Sequence, residues 1–221
     1  MFKTGISSID LFSQAIVFMP LLPVVIILLR GIYQKDVLTF LLILCLMNCI
    51  GGLLSRISKS TIAVPASTQH LFSLVEFIIL IQMLKSGITG RLKKVLDIFL
   101  IAFISSVFTY YLIEGADQNI TSIARVQDGI IILIAIFCMS KLIGNNDLNI
   151  FSLPLFWISV GTVFYFVVAD ILEAAGCCSI QSLPTITDKV LLLNIASLVR
   201  YFFYILAAFS YRPSKNSDII P

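Results

Sequence analysis

The sequence predicts an all-α, polytopic integral membrane protein: a seven-helix transmembrane bundle with its N-terminus outside and its C-terminus in the cytoplasm. Three observations carry this expectation. Of 221 residues, 59% are hydrophobic and only 12% charged, about half the charged share of a soluble domain. The apolar residues fall into continuous runs near the roughly 20 residues that cross a bilayer core. The runs are unbroken, where a membrane β-barrel would alternate apolar and polar with period two. A helix satisfies its own backbone hydrogen bonds in lipid, so runs of this kind are read as helices.

Seven spans are expected, at 11–29, 37–55, 69–84, 95–113, 120–143, 154–172 and 190–209. They fill most of residues 1–221 and leave room for one transmembrane domain and a short polar tail, 210–221. With seven crossings, Arg30, Lys35, Lys85, Arg91, Lys93, Lys94, Lys141, Arg212 and Lys215 share one side. Lys3, Arg56, Lys59 and Lys189 share the other. The positive-inside rule puts the richer side in the cytoplasm. Polar Thr4, Ser7, Ser8 and Asp10 interrupt the stretch after Lys3, and no small-residue cleavage site follows the first run, so that run reads as a retained span.

Taken in order, the first span holds Pro20 and Pro23, which predict a kink because each lacks a backbone donor. The second carries Cys45, Asn48, Cys49 and Gly52 on one helical face, a small and weakly polar face suited to close packing. The third places Glu76 inside the apolar run, with Gln69 and Ser73 on its face. A carboxyl there is costly unless it faces the bundle interior or water. The fourth has Asp97 one turn from Lys93 and Lys94, which predicts an interfacial ion pair, and a polar flank of Ser105, Ser106, Thr109 and Tyr110. The fifth opens with Arg125 and Asp128, three apart and able to pair on one face, or to join partners on other helices. Before it stands Asn119-Ile120-Thr121, a glycosylation sequon in form.

The sixth span begins with Pro154, Phe156 and Trp157, an interfacial aromatic belt, and ends with Asp170 and a Glu173 read as solvated. Cys177 and Cys178 follow; neighbours in sequence make a strained disulfide. The seventh carries Asn194, Ser197, Arg200, Tyr201 and Tyr204 as one polar stripe. Arg200 lies near mid-membrane and requires a carboxylate or water beside it.

Glu76, Arg125, Asp128, Asp170, Asn194, Arg200, Tyr201 and Tyr204 are therefore the expected polar cluster, with Glu76 facing Arg200. Grouped, they describe an outward-facing polar cavity, one charge negative unless an acid is protonated. The alternative is a static ion-pair network that sets helix register.

Several chemistries lack their residues. His70 is the sole histidine, so a three-histidine zinc site cannot be assembled. No GxSxG, acidic metal-binding pair, Walker or Rossmann glycine pattern occurs, and the last span has no lysine for a Schiff base. No catalytic residue, metal or cofactor is expected, and no nucleic-acid partner. The first three and last three spans show no repeat of the kind many transporters carry.

The segments LVEF (74–77) and PLFWISVG (154–161), the second followed by an aromatic run, resemble those of a group of small bacterial multi-span membrane proteins. The resemblance implies a bacterial cytoplasmic membrane and about seven helices, and no mechanism. The expected partners are the lipid bilayer, a small molecule or ion reaching the cavity from outside, and a membrane or cytoplasmic protein. A ligand-sensing or signal-transmitting module is the expected role. A solute or proton-coupled transporter and an accessory subunit are the alternatives.

Overall fold

The computed structural model describes residues 8–33, 36–60, 66–114, 121–144, 149–177 and 186–211. Asn119 and Ile120 of the sequon, Pro65, Cys178 and the tail from Arg212 onward lie outside the described residues. The described chain is helical throughout: α1 (Ser8–Phe18), α2 (Leu21–Leu29), α3 (Asp36–Ser60), α4 (Ala66–Lys85), α5 (Arg91–Glu114), α6 (Thr121–Ile143), a 3-10 turn (Ile150–Ser152), α7 (Pro154–Cys177) and α8 (Ile186–Ser210). Among the described residues, six runs are long and apolar enough to cross a membrane: Leu11–Leu29, Asp36–Leu54, Arg91–Ile113, Ile123–Ile143, Pro154–Ala174 and Lys189–Ser210. By length and composition the chain is a multi-pass membrane protein. The expected third span, α4, is not among the six. It carries Gln69, His70, Glu76 and Gln82 in 20 residues.

The first membrane-crossing run is two helices. The chain turns at Met19–Pro20 and restarts at Leu21. Pro23 is the third residue of α2, where its missing N–H has no intrahelical acceptor to lose. α2 stops at a Schellman turn. Gly31 takes φ +63°, and the Ile32 and Gly31 amides donate to the Ile27 and Leu28 carbonyls. α3 continues to Ser60, five residues past the expected end of its span.

α7 and α8 form the most extensive helix pair, with α6 on the other side of α7. Gly161 makes that closeness possible. A methyl group there would lie 2.8 Å from Phe203 Cβ and 3.2 Å from the Arg200 carbonyl oxygen. On the small face of α3, Cys45 and Cys49 are buried, and a methyl on Gly52 would meet Val17 at 3.1 Å.

α4 is enclosed. It contacts α3, α5, α6 and α7 and buries Phe77, Leu80, Ile81, Met83, Leu84 and Lys85. A helix walled in by other helices need not be apolar on every side, because little of it touches lipid. α5 packs chiefly against α4. Leu100 and Val107 are its buried residues, while Val95, Ile98, Ile101, Phe108 and Leu112 stand outward.

Candidate functional site

The polar residues of the described spans do not scatter. Most of them line one column between α4, α6, α7 and α8, descending from the end where α4, α6 and α8 begin and α7 finishes. At its mouth, Arg125 Nε of α6 meets Glu173 Oε1 of α7 at 3.5 Å, both partly exposed. Of the two arrangements open to Arg125, the structure shows a carboxylate on the neighbouring helix, and Glu173, read as solvated, is paired. Antiparallel packing sets the start of α6 beside the end of α7.

About one turn deeper stand Asp128 and Asp170. Asp128 is in electrostatic contact with Asp170, Glu76, Glu173 and Arg200. Asp170 Oδ1 is buried without a hydrogen-bond partner.

Deeper again is the pair expected from the sequence. Arg200 Nη2 donates to Glu76 Oε1 at 2.6 Å. Glu76 lies ten residues into α4 and Arg200 fourteen into α8, about 15 and 21 Å along their axes. Arg200 Nε donates to the Tyr204 hydroxyl at 2.8 Å, and that hydroxyl lies 3.2 Å from Thr162 Oγ1 of α7. Aromatic rings close around the guanidinium: its Cζ is 4.7 Å from the Tyr165 ring centre, 5.3 Å from that of Tyr204 and 5.4 Å from that of Phe166. Tyr201 meets Tyr204 edge to face at 6.1 Å. A cation at this depth is tolerable only with such partners.

The two members of the pair differ in access. The Arg200 side chain is 3% exposed and that of Glu76 25%. The carboxylate is therefore the more accessible member of the pair, while the guanidinium is closed in by rings. The reachable edge is an acceptor that favours a donor group or positive charge.

Asn194 stands apart from the column. Its Nδ2 donates to Ser13 Oγ of α1 at 2.7 Å, and Ser197 turns back to the Leu193 carbonyl. The α8 stripe thus serves two neighbours. Asp97 is likewise corrected. It pairs with Lys85 of α4, while Lys93 and Lys94 are exposed; the turn after α4 brings Lys85 over the start of α5.

Sequence reasoning passed over Thr162, the ring wall of Tyr165 and Phe166, and Gln127, which is buried on α6 and accepts from Ser73 Oγ at 3.1 Å. Thr162 and Gln127 were visible as lone polar residues in apolar runs. Arg30, counted only as a loop cation, donates to the carbonyls of Ala208, Phe209 and Tyr211 at 2.6, 3.1 and 3.0 Å. It ties the first membrane-crossing run to the carboxyl end of the last, where a cation suits the helix dipole.

No protein-family model matches the chain, and neither the curated proteins nor the solved structures include one with detectable similarity to it.

Proposed function

We propose that this protein is a membrane-embedded ligand-sensing or signal-transmitting module whose ligand enters the polar column from outside the cell and acts on Glu76. On this reading α4 is a seventh span. Its 20 residues reach about 30 Å, the thickness of the hydrocarbon core, and its neighbours shield its polar groups from lipid. The N-terminus is then outside and the mouth of the column faces outward. The membrane is the bacterial cytoplasmic membrane that the short LVEF and PLFWISVG segments imply. One observation carries the reading: an ion pair joins α4 to α8, with its guanidinium buried and its carboxylate partly exposed. A cationic or donor-rich ligand at Glu76 competes with Arg200 and so alters how α8 is held.

Thermal unfolding of the purified protein against a panel of small amines and alkali cations tests this. A bound ligand raises the wild-type midpoint by mass action and leaves Glu76→Gln unmoved. A panel that shifts neither protein, or both equally, removes the reading.

The neighbouring carboxyls Asp128 and Asp170, with Asp170 Oδ1 buried and without a hydrogen-bond partner, support a second reading, a proton-coupled transporter. It requires that Ser197→Cys and Tyr204→Cys react with water-soluble thiol reagents from both sides of the membrane. Labelling from one side alone rejects transport.

A further inference from the structure

α8 is one unbroken helix of 25 residues. The run that lies along it is jointed: α1 and α2 both pack on α8, and the chain between them turns at Met19–Pro20. Each half holds α8 by its own hydrogen bonds. Near the start of α8, Asn194 Nδ2 donates to Ser13 Oγ of α1 at 2.7 Å. At its end, Arg30, just past α2, donates to the carbonyls of Ala208, Phe209 and Tyr211 at 2.6, 3.1 and 3.0 Å. Roughly 20 Å of α8 separates the two ties, and the joint falls between them.

The joint is soft for a chemical reason. In a continuous helix the amides of residues 20 and 23 would donate to the Ile16 and Met19 carbonyls. Both residues are proline and have no donor. The turn is carried instead by two tighter bonds, from the Met19 amide to the Ile16 carbonyl and from the Leu22 amide to the Met19 carbonyl, each 3.1 Å. A few residues at element ends suffice to absorb the backbone change of a hinge. The ties are stiffer, because a hydrogen bond weakens steeply once its direction is lost. They follow α8, while apolar contacts slide.

Other helices set where α8 lies. Between the ties, Arg200 is held by Glu76 of α4. Gly161 of α7 sets how closely α8 approaches, since a methyl there would lie 2.8 Å from Phe203 Cβ and 3.2 Å from the Arg200 carbonyl oxygen. We infer that α1–α2 is a jointed strap that registers the position of α8: when α8 shifts against α7, the ties carry the movement of its ends into the two halves, and the angle at Met19–Pro20 changes. The device is mechanical and stands whether or not a ligand enters the polar column. With a ligand at Glu76 it also carries the change to the Arg30 end of the run; that use alone rests on the ligand reading.

Two distances test the strap. The full chain in lipid vesicles carries nitroxides on a genetically encoded ketone residue, which leaves its five native cysteines untouched. One label pair replaces Leu11 and Leu29, exposed near the two ends of the strap and roughly 25 Å apart. The other replaces Phe164 of α7 and Phe202 of α8, both exposed, and reports the separation of those helices. Double electron–electron resonance reads each pair. Gly161→Ala is expected to lengthen the 164–202 distance and to shift the 11–29 distance with it. Glu76→Gln, which frees Arg200, is the second way to move α8. Adding Arg30→Gln or Asn194→Ala is expected to abolish the response of the strap while α8 stays displaced. Arg30→Gln in the otherwise unchanged chain should broaden the 11–29 distribution and leave the 164–202 distribution unaltered, which general loosening of the bundle would not do. A strap distance that stays fixed while α8 moves, a response that survives loss of either tie, or an α8 that neither Gly161→Ala nor Glu76→Gln displaces overturns the inference. Should both of those variants fail to fold, the two distributions of Arg30→Gln decide alone.

Discussion

α4 and α5 are consecutive helices of similar length, joined by a short turn, and they solve opposite problems. α4 carries Gln69, His70, Ser73, Glu76 and Gln82 along its 20 residues, packs against four other helices, and holds Glu76 against Arg200. α5 is apolar enough to cross a membrane, packs chiefly on α4, and turns most of its large side chains outward. The difference teaches that, in lipid, hydropathy and burial part company. Lipid tails are as apolar as leucine, so helices are not driven together by apolar surface. What draws a helix inward is polar groups that require partners and shapes that fit closely. The helix that carries Glu76 is therefore an enclosed one.

This contrast can be broken by substitution. The largest effect is expected at the anchor of α4. Glu76→Gln and Arg200→Gln should each cost about 3–5 kcal/mol in thermal or denaturant unfolding, because each strands a buried polar or charged partner. The exchange of Glu76→Arg with Arg200→Glu should recover part of that loss. Single changes that leave the midpoint where it was would mean that α4 is held by packing alone. Next comes the packing itself. Leu80→Ala opens a cavity in the enclosed face of α4, and a loss of about 2–5 kcal/mol is expected, mostly from the cavity, since the alternative surroundings are also apolar.

The seam between the two helices should be weaker. The carboxylate of Asp97 is 42% exposed beside Lys85, and Asp97→Asn should cost about 1 kcal/mol or less, reduced further by salt. Smallest of all is the outward face. Ile101→Ala should change unfolding by no more than about 0.5 kcal/mol, since the side chain meets lipid before and after. Equal losses for Ile101→Ala and Leu80→Ala would erase the distinction and place α5 against a partner.

The cluster was legible in the sequence to the extent that it depended on depth. Glu76 and Arg200 both lie inside apolar runs, and a charge so placed must have a counter-charge. Their pairing followed from need and depth. Asp97 was harder, because a partner three or four residues along the same helix always looks sufficient. The structure instead gives it Lys85, and it gives Arg125 the cross-helix partner Glu173, since a neighbouring helix end brings an opposite charge to the same level. Asn194 shared a stripe with Arg200 in the sequence, yet faces Ser13, because a stripe spread over i to i+10 is wide enough to serve two neighbours.

By itself, the sequence determined the class of protein: helical, multi-pass, with proline breaking the first membrane-crossing run and ionisable groups inside the last ones. These are local properties, readable from run length, hydropathy and the backbone chemistry of single residues. Which helix is enclosed, which charges meet and that Arg30 caps the end of α8 were decided by the tertiary structure alone. The physical reason is one of scale. An apolar side chain gains the same on leaving water whether its new neighbour is lipid or another helix, so only the packed bundle distinguishes the two.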